Sequence, residues 1–109
     1  MSIRLGEKNF REEVLESDKL VLADFYSDSC VPCKRLSPIL AELEEKYGEA
    51  IRIGKVNVAY EENLIQEYGI TTAPTILIFQ KGVVMDKLTG KMEKSYLSGV
   101  IEKYLHHES

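Results

Sequence analysis

Seven consecutive residues, Leu20 to Tyr26 in "LVLADFY", are apolar or aromatic apart from a single aspartate. A run of strand length that is hydrophobic throughout, rather than at every second residue, marks a strand covered on both faces. Such a strand belongs at the centre of a sheet. It hands over at once to "SDSCVPCKRLSPILAELEEKYG", in which Leu36, Ile39, Leu40, Leu43 and Tyr47 fall on one helical stripe and Gly48 supplies a stop. Pro38 inside that pattern predicts a kink and one lost backbone hydrogen bond.

The remaining segments follow the same alternation. "KNFREEVLESD" places Phe10, Val14 and Leu15 at the spacing of a short amphipathic helix. "AIRIGKVNV" reads as a strand and "EENLIQEYG" as a short helix closed by glycine. "TILIFQKGVVMDKLTG" predicts a hairpin turning at Lys81-Gly82. "KMEKSYLSGVIEKYL" predicts a final amphipathic helix on the stripe Met92, Tyr96, Val100, Ile101 and Tyr104. Strands separated by helices, then a hairpin and a terminal helix, place the chain in the α/β class, with a central mixed β-sheet flanked by helices on both faces. A length of 109 residues fits one domain, 1–109, and 44% hydrophobic content with 29% charged residues is enough to bury one core.

Charge and hydropathy narrow the partners. A net charge of −4 recommends neither nucleic acid nor an anionic membrane surface. The longest apolar stretches are too short to span a bilayer. "MSIRLGEKNFREE" has no apolar core of a signal peptide, so a cytoplasmic location is expected.

Both cysteines, Cys30 and Cys33, lie where the central strand gives way to the helix, with Val31 and Pro32 between them. In α/β layers this carboxyl end of the strands is the usual edge for chemistry. At a helix start, Cys30 would meet unpaired backbone N–H groups and the positive end of the dipole, which favour a thiolate. Pro32 suits the first turn, where its missing N–H is not needed. Cys33 would lie one turn in, close enough for a disulfide and more sheltered. Cys30 is then the nucleophile and Cys33 the resolving thiol. A free thiol of pKa about 8.5 is roughly 3% thiolate at neutral pH, and one of about 7 is roughly half. That gain of ~15-fold outweighs the ~5-fold loss of intrinsic nucleophilicity. Lys34 and Arg35 push in the same direction and Asp28 pushes against it. Two other readings stand beside the redox pair. Two thiols supply half of a zinc site, with only His106 and His107 as further candidates, and the pair is also compatible with mere sequence proximity.

"ADFYSDSCVPCKRLSPILAELEEKYG", "KVNV", "YGITTAPTILIF", "KG" and "LTG" occur in an order and at separations that resemble the thioredoxin family across nearly the whole chain. The resemblance implies the thioredoxin fold and a protein-disulfide reductase that carries electrons between thiols. Cys30 would attack a partner disulfide and Cys33 would resolve the mixed disulfide. It implies no cofactor and no metal, a monomer, disulfide-bearing protein substrates, and a thioredoxin reductase or other electron donor. The alternatives are a redox-inactive binding module of the same fold and a thiolate metal carrier.

Four further positions carry over. Asp24, inside the apolar strand, is either an aspartate facing water at a strand edge or a buried carboxyl with raised pKa. In the second case it is the proton acceptor for Cys33. Lys55 in "GKVNV" is either an ordinary strand lysine or a modulator of Asp24. Ala73 and Pro74 in "TTAPTIL" match the family's cis-proline loop, whose backbone would pair with an extended substrate segment. The plain reading of Pro74 is a trans proline starting a strand. The chain departs from the family at Ser29, where a tryptophan is usual, and at Val31, where a glycine is usual. Those changes bear on partner docking and leave the sulfur chemistry alone.

Overall fold

The computed structural model describes residues 2–106. The chain runs through β1 (Ile3–Arg4), a π-helical turn (Arg11–Leu15), β2 (Leu20–Tyr26), α1 (Val31–Tyr47), β3 (Ile51–Asn57), α2 (Glu62–Tyr68), β4 (Thr75–Gln80), β5 (Val83–Thr89) and α3 (Lys94–Leu105). The strands form one sheet in the order β1-β3-β2-β4-β5. β2 is central, parallel to β3 and antiparallel to β4, and every residue from Leu20 to Phe25 is buried, as a run that is apolar but for Asp24 requires.

Alternation along β2 divides the core in two. Leu20 and Leu22 join Ile53, Ile76 and Ile78 beneath Leu36, Leu40 and Leu43 of α1 and Leu97 and Ile101 of α3. Val21, Ala23 and Phe25 face the other way, toward Phe10, Val14, Leu64 and Ile70. On that side the rings of Phe10, Tyr68 and Phe79 meet with centroids 5.5–5.6 Å apart, two of the three pairs edge to face. Helices therefore cover both faces of a mixed sheet. The even-numbered parity of Leu20 and Leu22 also sends Asp24 to the α1 face.

One close approach and one tight turn fix the sheet's outer strands. A Cβ on Gly54 would run into the Leu5 side chain, which crosses β3 as the chain leaves β1. In the β4–β5 hairpin, Lys81 and Gly82 both have positive φ, 52° and 80°, the combination of a type I′ turn whose twist matches the flanking strands. The turn falls at the expected pair.

The N-terminal and C-terminal helices differ from expectation. Residues 11–15 form a single π-helical turn, in which the Glu16 N–H reaches the Arg11 carbonyl, rather than a longer α-helix; Phe10 and Val14 still point inward. In α3 the inward stripe is Leu97, Ile101 and Tyr104. Met92 is buried but precedes the helix, and Tyr96 stands half exposed beside the stripe. Pairing Met92 with Tyr96 assumed that the helix had begun before Lys94. α1 runs unbroken through Pro38. His107 lies outside the described residues.

Candidate redox site

Cys30 is the N-cap of α1, with extended backbone at φ −86° and ψ 111°. Its Sγ accepts a hydrogen bond from the Cys33 N–H at 3.1 Å, and its carbonyl accepts one from the Lys34 N–H. A sulfur thus fills the role that a serine or aspartate oxygen usually plays, satisfying one of the four orphan donors of a helix start. Pro32 falls in the first turn and removes a donor that would have had no partner. Cys30 and Cys33 are joined as a disulfide across a Cα separation of 5.2 Å. The two sulfurs differ in access: Cys33 is buried at 5% exposure, while Cys30 sits half buried at the surface.

The Ala73–Pro74 peptide is cis and faces the cysteines, with the Ala73 carbonyl oxygen 3.5 Å from Cys30 Sγ. A groove of about 460 Å³ opens beside this contact, lined on one side by Pro32, Arg35 and Ile39 and on the other by Pro74, Lys91 and Met92. It is chiefly apolar with a charged rim.

Behind Cys33 lies a smaller cleft of about 170 Å³ whose walls include Asp24, Tyr26, Asp28, Cys33, Ser37 and Lys55. Asp24 is 1% exposed, and its Oδ1 has no hydrogen-bond partner among the described residues. Burial pushes its pKa from the ordinary 3.8 up to about 7, against the opposing pull of the Lys55 charge. Lys55 lies opposite Asp24 in the β2–β3 register, yet its ammonium donates to Ser37 Oγ at 2.6 Å. The loop before Cys30 is held by Asn57, whose Nδ2 donates to Asp28 Oδ2 at 3.2 Å and to Tyr26 Oη at 3.4 Å. Ser29 and Val31 flank Cys30 at the surface, and Val31 is 56% exposed.

The thioredoxin family model matches residues 1–103. A thioredoxin of Chlorobaculum thiosulfatiphilum is 40% identical over 100 residues, covering 91% of this chain and 92% of that protein. "Thioredoxin 1" of a Nostoc species is 36% identical, and a thioredoxin of a Synechocystis species 33% identical, each over 102 residues that cover 94% of this chain and 95% of the relative. The chain belongs to the thioredoxin family. With the Cys30–Cys33 pair in place, it is a thiol–disulfide oxidoreductase of the thioredoxin type, a protein-disulfide reductase and electron carrier. Family membership does not favour the binding-module or metal-carrier alternatives.

The predicted positions Cys30, Cys33, Asp24, Lys55, Ala73 and Pro74 gather at one edge of the sheet. Cys30 and Ala73 meet at the surface with Cys33 and Pro74 buried behind them, and Asp24 and Lys55 share the cleft below. Sequence reasoning passed over Ser37, the Asn57 clamp on the loop and the Gly90–Glu93 wall of the groove. Ser37 had a usable signal, since four residues after Cys33 it must share that residue's helix face. The groove wall had none, because only tertiary packing brings residues 90–93 to the cysteines.

Proposed function

We propose that the reduced protein transfers two electrons to a protein disulfide through unequal roles for its two sulfurs. The Cys30 thiolate attacks one sulfur of the substrate disulfide, forming a mixed disulfide and releasing one substrate thiolate. Cys33 then gives its proton to the Asp24 carboxylate and attacks Cys30 Sγ. The Cys30–Cys33 disulfide forms, the second substrate thiolate leaves, and the substrate is reduced by two electrons. Lys55 tunes Asp24 by its charge. Ala73 and Pro74 present backbone and an apolar surface to an extended substrate segment, which lies in the groove beside them.

The observation that carries this reading is the Cys33 N–H directed at Cys30 Sγ, at a helix start and at the mouth of the groove. The donor and the dipole both stabilise charge on Cys30 once the disulfide is opened, and neither reaches Cys33 in the same way. The buried Asp24 carboxyl beside Cys33, whose Oδ1 has no hydrogen-bond partner among the described residues, supports the assignment of the proton.

We further propose a single-domain monomer working in the cytoplasm and recharged by a thioredoxin reductase or an equivalent donor, without a bound cofactor. Both cysteines are committed to the redox pair, which suits a reducing compartment. Among the described residues no helix is long and apolar enough to cross a membrane. Trapping tests the roles: Cys33→Ser should accumulate stable mixed disulfides with substrate proteins, and Cys30→Ser should trap almost none. Trapping by the Cys30 variant alone would reverse the assignment.

A further inference from the structure

Ser37 occupies a half-buried position within α1, one turn beyond Cys33 and over the same cleft. A serine is not what a helix interior selects, since its hydroxyl competes with the backbone for hydrogen bonds and an alanine would serve the helix better. Here the hydroxyl has a specific task. It accepts from the Lys55 ammonium at 2.6 Å, the only side-chain hydrogen bond of that lysine among the described residues.

Lysine carries a compact, strongly hydrated charge on a flexible four-carbon stem. Lys55 makes no salt bridge with Asp24, and it is only half buried, so water competes for its head group. The other charged or titratable groups facing the cleft are Cys33 and Lys34 of α1, the Tyr26 phenol at the end of β2, and Asp28 in the following loop. Lys34 and Asp28 are exposed and screened by solvent, and Asp28 is held by Asn57. That leaves the Lys55 ammonium as the charge whose placement matters most to the buried carboxyl.

We propose that Ser37 is a positioning residue for the redox reaction, its hydroxyl fixing the Lys55 ammonium in the cleft beside Asp24 and so governing proton transfer from Cys33. The inference rests on Asp24 being the proton acceptor. Without the hydroxyl, the ammonium moves out toward water, the carboxylate loses its nearby counter-charge, and Asp24 holds its proton to higher pH. A threonine at this position keeps the hydroxyl and should keep the effect.

The test is a carbon NMR titration of the Asp24 carboxyl in the oxidised full-length protein. The midpoint should be about 7 in the parent and in Ser37→Thr. In Ser37→Ala it should rise by roughly half a pH unit, and in Lys55→Met by at least as much. Adding Ser37→Ala to Lys55→Met should change nothing further, because the serine acts only through the lysine. The pH profile for reduction of a disulfide substrate should move with the NMR midpoint in Ser37→Ala. An unmoved or lowered midpoint, a shift of the same size in the Lys55→Met background, or a rate profile that stays put while the midpoint moves would each overturn the role of Ser37. Asp24→Asn separates this from the underlying reading. If its rate profile keeps the parent's step, the proton-acceptor assignment fails; if the step is lost but Ser37→Ala leaves it in place, only the role of Ser37 fails.

Discussion

Asp24 and Lys55 are register partners on adjacent parallel strands, and both side chains reach the cleft under α1, but they make no ion pair. The ammonium goes to Ser37, and the carboxyl Oδ1 has no partner among the described residues. With its pKa raised to about 7, this buried carboxyl is about half ionised at neutral pH, the range a proton acceptor needs.

The raised pKa of Asp24 makes it a destabilising group at neutral pH. The folded protein holds this proton up to about pH 7, whereas the unfolded chain releases it near 3.8. Between those values the native state binds more protons, so stability falls as pH rises and levels off above 7. Asp24→Asn removes the dependence. By urea denaturation of the oxidised proteins, the two should be about equally stable at pH 4, and the variant should be more stable by roughly 4 kcal/mol at pH 8. A constant difference across that range would mean that Asp24 is ionised in the fold.

Gly54 is constrained by packing rather than by φ. An added Cβ would meet Leu5, which is 1% exposed and has no room to retreat. Gly54→Ala should cost roughly 1–3 kcal/mol in a denaturant titration, the range for overpacking a filled core. In the Leu5→Ala background the same substitution should cost distinctly less, a coupling that independent sites would not show.

Much of this was legible in the residues. The unbroken run Leu20–Phe25 dictates a central strand, and the stripe through Leu36, Leu40 and Leu43 dictates the helix above it. The cysteine pair follows at their junction. The parity that places Asp24 on the α1 face was implicit in the same run. What could not be read was set by contacts distant in sequence: Gly90–Glu93 walling the groove, Asn57 clamping the loop at Asp28, and a π-helical turn closing where a longer helix was expected. The two-residue strand β1 is too short to carry a period.

Lys81 holds a left-handed conformation that costs a residue with a Cβ roughly 1–2 kcal/mol, less for asparagine. Asn-Gly is a preferred pair for a type I′ turn. Lys81→Asn should therefore raise stability by roughly 0.5–1 kcal/mol, measured by thermal or denaturant unfolding, with activity unchanged. A loss of stability would mean that the lysine has a role beyond the turn.

Ser29 exposes little apolar surface beside Cys30. Ser29→Trp enlarges the contact available to a protein substrate without altering the N-cap geometry. Steady-state assays should show a lower KM for a protein disulfide and an unchanged rate with a small-molecule disulfide. A change confined to the small substrate would place Ser29 in the sulfur chemistry instead.

The central claim is that the two sulfurs are unequal because Cys30 caps the helix at the surface while Cys33 lies sheltered behind it. Its most direct measurement is timed alkylation of the reduced protein with iodoacetamide at neutral pH, the modified residues being mapped by mass spectrometry. Cys30 should be labelled first and nearly to completion before Cys33 reacts. Equal labelling of the two, or earlier labelling of Cys33, would contradict the account.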